Sequence, residues 1–382
     1  MTGTGVPLRE LGLVILVSAV ITYLVTGPVR SYLVRTGRVA EIRERDVHTQ
    51  PTPSMGGVAM FTGFLSAIFL AMQLPALTRG FAPVTPEMTA VVIGAFLIVV
   101  VGVIDDLYEL GALAKFAGQF LAAVTMSVLG LSYNVIYLPF DGGTTLILDQ
   151  TQGIVVSTLI TVTLVNAFNF IDGIDGLCAG LGLIAGAAIL LFSLTLLHDQ
   201  GGAVSAYPPA MICAGLVGIC AGILPHNFEP ARIFMGDTGA MLIGLLLSAA
   251  SISASGKINM ALYGTADFVA LVSPFIVVVA AIALPVADLI MAVIRRVSRG
   301  KSPFSADRQH IHHRLLALGH THRRTVLVLY MWVTAIGFGT VSFSVFPPRF
   351  AALLLAVAVI VAAVATAIPV LQGKIGPVAS DE

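Results

Sequence analysis

Residues 88–106, MTAVVIGAFLIVVVGVIDD, form an apolar run that ends abruptly in two aspartates. About 17 to 25 apolar residues in a helix are enough to cross the hydrocarbon core of a bilayer, which is about 30 Å thick. Charged side chains at a membrane boundary are costly unless something binds them. The stretch therefore predicts a membrane-spanning helix whose end carries Asp105 and Asp106 as a pair that requires a cation or a proton.

The rest of the chain repeats the pattern of apolar blocks between short polar stretches. Of the 382 residues, 57% are hydrophobic and 10% are charged, whereas a soluble domain typically carries about 25% charged residues. We predict an all-α polytopic membrane protein forming a single domain over residues 1–382. About eleven transmembrane helices are expected, at residues 8–27, 56–77, 88–104, 114–131, 151–168, 176–197, 208–224, 239–255, 267–294, 325–345 and 350–370.

The basic residues are distributed unevenly between the two sides of this arrangement. With the N-terminus outside, sixteen of the twenty Lys and Arg residues fall on the inner side, and the outer side keeps Arg9, Arg79, Lys257 and Arg349. Basic residues in short loops favour the cytoplasmic side. This asymmetry predicts a multi-pass plasma-membrane protein with a cytoplasmic C-terminus. The zero net charge excludes the global basic field that is typical of nucleic-acid binders.

Two of the connecting segments have features of their own. Residues 134–148 contain two runs of strand-forming residues around Asp141-Gly142-Gly143, which predicts a small external β-hairpin. Residues 295–324 carry eight basic residues and a histidine cluster, and are expected to form a cytoplasmic loop.

Four polar clusters are predicted to emerge together on the cytoplasmic side and to form a catalytic cleft. Hard carboxylate oxygens, a glycine-flanked loop, histidines and arginines on one face are what metal-assisted phosphoryl transfer requires. The clusters are residues 105–106, 166–175, 227–237 and 310–313.

Each cluster also has a structural alternative. Asp105 and Asp106 could form a solvated helix end paired with Lys115, and residues 169–176 could be a capped turn between helices. Asp237 could be the N-cap of the following helix. The cluster HIHHR at residues 310–314 suits phosphate recognition or proton transfer. Zinc is the alternative ligand for it, although no cysteine lies nearby.

Taken in order, the motifs resemble those of the polyprenyl-phosphate N-acetylhexosamine-1-phosphate transferases, a group of glycosyltransferase family 4. The resemblance covers almost the whole chain. It shows in the sequences PTPSMGG at 51–57, DD at 105–106, NAFNFIDGIDGL at 166–177, FMGD at 234–237, and SPF at 302–304 through HIHHRL at 310–315.

The resemblance implies that a polyprenyl phosphate attacks the β-phosphate of a UDP-N-acetylhexosamine and releases UMP, as the first membrane step of a cell-envelope polysaccharide or linker. Direct attack and an aspartyl intermediate would use the same carboxylates. The related enzymes also suggest a homodimer. The implied site comprises Mg²⁺, with Mn²⁺ as an alternative ion, on Asn169 and Asp237; catalytic Asp105, Asp106, Asp172, His310, His312 and His313; and substrate-binding Lys115, Asp175, Asn227, Phe234 and Arg314.

Two other functions fit the sequence less well. The phospho-N-acetylmuramoyl-pentapeptide transferases carry consecutive histidines followed by an acid in the last motif, which differs from His310-Ile311-His312-His313-Arg314. That difference favours an N-acetylhexosamine donor, UDP-GlcNAc first. A transporter would place its acids near the bilayer midplane and is less consistent with acids at the ends of spans.

Overall fold

The computed structural model describes residues 6–38, 52–81, 85–138, 144–203, 206–255 and 320–371, together with positions 272, 276, 277, 279, 294 and 298. Within these residues the protein is almost entirely helical. The helices are α1 (Leu8–Arg35), α2 (Gly56–Gln73), α3 (Glu87–Tyr108), α4 (Ala112–Val128), α5 (Gln150–Ile171), α6 (Leu177–Asp199), α7 (Tyr207–Asn227), α8 (Gly236–Ser255), α9 (His322–Val341) and α10 (Pro348–Leu371).

The helical architecture agrees with a polytopic membrane protein. In the described part of the chain, nine helices are long and apolar enough to cross a membrane, and α4 is a shorter apolar helix of 17 residues. Most of the predicted ninth span, residues 267–294, lies outside the described residues, as does the histidine cluster at 310–313. The total of eleven spans therefore stays a prediction.

Helix α8 is the centre of the bundle. In the apolar stretch of α8, 94% of the residues are buried inside the protein. The corresponding share is 22% for α1 and 11% for α10. Helices α2, α3, α5, α6 and α7 pack around α8. Most of the apolar side chains described in α10 remain on the surface, as expected for a helix that faces lipid.

Several helices extend beyond their predicted ends. Helix α1 continues from residue 27 to Arg35, because Leu33 is buried and the Arg30 Nε donates a hydrogen bond to the backbone oxygen of Arg232 at 2.9 Å. Helix α3 continues past Ile104, so that Asp105 and Asp106 occupy its last turn. The helix ends at Tyr108, and the next residue, Glu109, has a positive φ of 48° that breaks the helical geometry.

The predicted strands are present as β1 (Val135–Leu138) and β2 (Thr144–Ile147). They pair antiparallel, with Val135 opposite Ile147 and Leu138 opposite Thr144. The side of the membrane on which this pair lies stays a prediction, derived from the distribution of basic residues.

Small residues allow α1 and α7 to pack closely. The Ser18 hydroxyl donates to the Gly215 carbonyl at 2.9 Å. A Cβ built on Gly218 would lie 2.5 Å from the Ile15 carbonyl oxygen, and one on Gly222 would lie 2.8 Å from the Thr22 Cβ. Within a bilayer, where lipid is as apolar as the helices, such close contact and interhelical hydrogen bonds are what hold helices together.

We expect Gly218→Ala to lower the free energy of unfolding by about 1–3 kcal/mol, because the new methyl group would force α1 away from α7. The melting temperature of the purified protein in detergent measures the effect. Gly12→Ala is the matched control, since a Cβ on Gly12 in the same helix pair meets nothing within 4 Å. Equal melting temperatures for the two variants would contradict this account of the packing.

Candidate active site

The N-terminus of α8 is capped by a side chain from another helix. The Asp106 carboxylate accepts hydrogen bonds from the backbone N–H of Asp237 at 3.0 Å, from the backbone N–H of Thr238 at 3.2 Å and from the Thr238 hydroxyl at 2.6 Å. The first amides of a helix have no intrahelical partner, and a carboxylate there is favoured by the helix dipole. The N-cap role considered for Asp237 is therefore filled by Asp106.

Two glycines bring the two helices close enough for this cap. A Cβ on Gly102, one helical turn before Asp106, would lie 2.8 Å from the Thr238 backbone nitrogen. Gly236 has a φ of +71°, in the left-handed region that favours glycine, and a Cβ there would lie 2.6 Å from the Asp106 carboxylate oxygens. Larger residues at either position would separate α3 from α8.

The Pro53–Gly57 segment is held against the residues that precede α8. The Phe234 N–H donates to the Pro53 carbonyl at 2.9 Å, and the Gly56 N–H donates to the Phe234 carbonyl at 2.9 Å. The Ser54 hydroxyl donates to Asp106 at 3.3 Å. The proline- and glycine-rich motif thus supports the same helix end from a second direction.

An ammonium group lies between two carboxylates beside this cap. The Lys115 Nζ is 2.7 Å from the Asp105 Oδ2 and 2.6 Å from the Asp237 Oδ2. The other oxygen of Asp237 accepts a hydrogen bond from the Asn169 side-chain amide. Asp105 is buried and also accepts from the Leu110 N–H at 2.9 Å. The ends of α3 and α5 and the beginnings of α4 and α8 therefore meet in one polar cleft.

The loop between α5 and α6 is anchored to the loop that follows α7. The buried Asp175 carboxylate accepts from the Ala231 N–H at 2.8 Å. The buried Asn227 amide accepts from the Gly176 N–H at 3.2 Å and donates to the Ile233 carbonyl at 3.2 Å. These contacts fix the loop conformation, and the nucleoside contacts predicted for Asp175 and Asn227 stay predictions.

Asp172 follows the end of α5 and is half-buried beside this cleft. Its pKa is raised well above the usual aspartate range, first by burial and then by the negative charges of Asp237, Asp106 and Asp175. Each additional carboxylate in a partly desolvated cleft makes ionisation of its neighbours more costly. The cleft is thus an environment in which a bound cation would be stabilised.

The donor set of the cleft fits Mg²⁺. Asp237 supplies carboxylate oxygens and Asn169 an amide oxygen, which are hard ligands, and Mg²⁺ is commonly bound through one or two carboxylates plus substrate phosphates. Within the described residues, no group of three or more His, Cys, Asp or Glu side chains is arranged to hold a metal by itself. Mg²⁺ prefers octahedral coordination, so its remaining ligands would be waters or groups of a bound molecule.

The structure brings five of the predicted site residues together. The interactions above link Asp105, Asp106, Lys115, Asn169 and Asp237, with Asp237 contacting Asp106, Lys115 and Asn169. The remaining predicted residues of the described part, which border the cleft or its supporting loops, are Asp172, Asp175, Asn227 and Phe234. His310, His312, His313 and Arg314 lie outside the described residues.

Three residues of this region received no role from the sequence. Thr238 donates its hydroxyl to Asp106. Gln119 and Asn166 form a hydrogen bond between α4 and α5 at 2.7 Å. A glutamine four residues after Lys115 in an apolar helix is a signal that could have identified Gln119, because polar residues within membrane helices are costly and tend to have partners.

Comparison with known proteins agrees with the family resemblance of the sequence motifs. The family model described as glycosyl transferase family 4 matches residues 88–255. The chain is 53% identical over 370 residues to the decaprenyl-phosphate N-acetylglucosaminephosphotransferase of Mycobacterium tuberculosis H37Rv, covering 97% of this chain and 91% of that protein. The corresponding enzyme of Mycobacterium leprae is 51% identical over 370 residues, covering 97% and 93%.

A more distant relative shares a related name. The undecaprenyl-phosphate alpha-N-acetylglucosaminyl 1-phosphate transferase of Salmonella typhimurium is 29% identical over 339 residues, covering 85% of this chain and 82% of that protein. Identity of 53% across nearly the full length of the mycobacterial relative establishes the relationship. The chain belongs to the polyprenyl-phosphate N-acetylhexosamine-1-phosphate transferase family.

Proposed function

We propose that the protein transfers N-acetylglucosamine-1-phosphate from UDP-N-acetylglucosamine to a polyprenyl phosphate, releasing UMP and forming a polyprenyl-diphosphate-sugar. The observation that carries the proposal is the ammonium of Lys115 held between Asp105 and Asp237 at 2.7 and 2.6 Å. The names of the relatives support the acceptor class and the transferred sugar.

The reaction joins two anions, and the cleft is suited to that difficulty. An oxygen of the lipid phosphate forms a bond to the β-phosphorus of the donor, and the bond from that phosphorus to the oxygen bridging to UMP breaks. Fixed charges in a partly desolvated site stabilise developing charge more strongly than water does. Lys115 is positioned by its two carboxylates before substrate arrives, so its charge needs little rearrangement during the reaction.

Mg²⁺ would be held by Asp237 and Asn169, where it would neutralise the diphosphate of the donor. The Asn169 amide donates to Asp237 in the structure, and a turn of this amide would present its oxygen instead. Burial and the charges of Asp237, Asp106 and Asp175 raise the pKa of Asp172, and a bound cation would favour its ionised form. Mn²⁺ prefers the same kind of oxygen ligands and is the alternative ion for this site.

Asp105 and Asp106 have different tasks in this proposal. Asp105 faces Lys115 and would accept a proton from, or orient, the lipid phosphate. Asp106 holds the start of α8 and thereby sets the position of Asp237. Phe234, half-buried just before α8, would stack on the uracil, with Asp175 and Asn227 near the nucleoside.

The location of the acids distinguishes a transferase from a transporter. Asp105 and Asp106 lie in the last turn of α3, Asp237 lies in the first turn of α8 and Asn169 lies in the last turn of α5. Transporter sites typically lie near the bilayer midplane at broken helices. Polar groups at helix ends are accessible both to a donor from water and to a lipid headgroup at the interface.

UMP release is the direct test of the proposed reaction. Purified protein in detergent or lipid is expected to release UMP from UDP-GlcNAc only when polyprenyl phosphate and Mg²⁺ are both present, and a chelator should stop the release. Release from UDP-MurNAc-pentapeptide and not from UDP-GlcNAc would assign the protein to the pentapeptide branch. A folded sample that releases no UMP from either donor would contradict the transferase.

We expect Lys115→Met to lower kcat on the order of 100-fold, because it removes a preorganised charge from the cleft. The rate of UMP release at saturating donor and lipid measures the effect. Arg79→Met is the control, since Arg79 is exposed in the connection between α2 and α3. Full turnover by the folded Lys115→Met protein would exclude this role for Lys115.

The cleft is proposed to face the cytoplasm, and the three native cysteines in the described part are all buried, which permits a labelling test. Thr151→Cys introduces a thiol in the first turn of α5, on the predicted outer side, and Arg232→Cys introduces one beside the cleft loops. Both native side chains are exposed. A membrane-impermeant maleimide should label Thr151→Cys in intact cells and Arg232→Cys only after permeabilisation. The reverse pattern would invert the proposed orientation.

A further inference from the structure

A second polar layer lies one helical turn below the contacts of Lys115 and Asn169 with Asp237. Gln119 follows Lys115 by four residues on α4, and Asn166 precedes Asn169 by three residues on α5. Residues three or four positions apart lie on the same face of a helix. The faces of α4 and α5 that carry Lys115 and Asn169 therefore also carry Gln119 and Asn166.

The side chains of the second layer contact one another directly. The Asn166 Nδ2 donates to the Gln119 Oε1 at 2.7 Å and to the Val162 carbonyl at 2.8 Å. The Gln119 Nε2 lies 3.3 Å from the Met241 sulfur on α8, and Met241 follows Asp237 by four residues. Helices α4, α5 and α8 thus each contribute one residue to the layer that contains Asp237 and one residue to the second layer below it.

The second layer is well removed from solvent. Gln119 is 1% exposed, Met241 is 0% exposed and Asn166 is half-buried. A buried amide is costly unless its hydrogen bonds are made, and a satisfied one fixes a particular arrangement of the helices that carry it. Apolar side chains would fill the same space without specifying how α4 and α5 are rotated relative to each other.

We propose that Gln119 and Asn166 form a positioning pair that sets Lys115 and Asn169 on opposite oxygens of Asp237. The inference rests on the proposed transfer reaction and adds two residues that act through others. Lys115 contacts the Asp237 Oδ2, and Asn169 contacts the Oδ1. Rotation of α4 or α5 by a small angle would move one of these donors away from its oxygen, and the amide pair opposes that rotation.

The pair of Gln119 and Asn166 lies where it can fix the positions of the two helix ends that border the cleft. Lys115 lies in the first turn of α4, close to a helix end, and Asn169 lies in the last turn of α5. Helix ends fray more readily than helix interiors, because their backbone hydrogen bonds are incomplete. A cross-link one turn inside both helices is thus suited to hold the two ends in a fixed relation.

Three variants test the positioning role. Gln119→Met and Asn166→Leu remove the hydrogen bond and keep approximately the same side-chain volume. The double variant Q119N/N166Q exchanges one methylene group between the two side chains and preserves their combined length, so the amide contact can form again. Each protein is assayed for kcat and KM in UMP release from UDP-GlcNAc, and its melting temperature is measured.

We expect each single variant to lower kcat roughly 10- to 100-fold, because small misplacements of supporting residues cost that much. KM for the donor should change little, and the double variant should recover most of kcat. A role confined to stability would lower the melting temperature without this division between kcat and KM and without recovery in the exchanged pair.

Thr161→Val and Ser248→Ala are the matched controls. Their side chains share a hydrogen bond of 2.6 Å between α5 and α8, and both residues are 0% exposed, deeper in the bundle. These variants should lower the melting temperature and keep kcat. The positioning role is overturned if folded single variants keep wild-type kcat, or if a folded Q119N/N166Q protein is as slow as they are. An inactive wild type would instead contradict the proposed reaction.

Discussion

The rest of the site depends on the capping of a buried helix end. Helix α8 begins inside the protein, and its first backbone amides receive their acceptor from Asp106 on α3. The first amides of a helix have no intrahelical partner, and Asp106 supplies the acceptor that they need. Once this cap is made, Asp105 is directed toward Lys115, and Asp237 is held where Lys115 and Asn169 can contact it.

The close approach of α3, α2 and α8 is possible because glycines occupy the crossing points. A Cβ on Gly102 or on Gly57 would meet the backbone of Thr238 at 2.8 and 2.6 Å, respectively. Burial of apolar surface does not by itself drive helices together within lipid, so packing and hydrogen bonds carry the association. The residues that stabilise the bundle at this end are therefore the same residues that shape the cleft.

The arrangement of acidic side chains in the cleft carries an electrostatic cost. Asp105, Asp106, Asp172 and Asp237 place several carboxylates near one another, and the ammonium of Lys115 contacts two of them. Burial, and after it the charges of the neighbouring carboxylates, raises the pKa of Asp172. A site with this charge pattern is suited to bind a cation together with phosphates, and the polar layer of Gln119, Asn166 and Met241 below it supports the geometry from the apolar core.

The sequence alone determined the membrane class, the approximate spans, the family and the grouping of polar motifs at helix ends. It could do so because hydropathy is a local property and because a helix must satisfy its own backbone within lipid. It also predicted that Asp105, Lys115, Asn169 and Asp237 belong to one site.

The tertiary structure alone decided that Asp106 caps α8, that α1 continues to Arg35 and that Gln119 meets Asn166. Asp106 and Thr238 are 132 positions apart. A contact over such a distance depends on how the helices pack, which no local pattern of residues specifies.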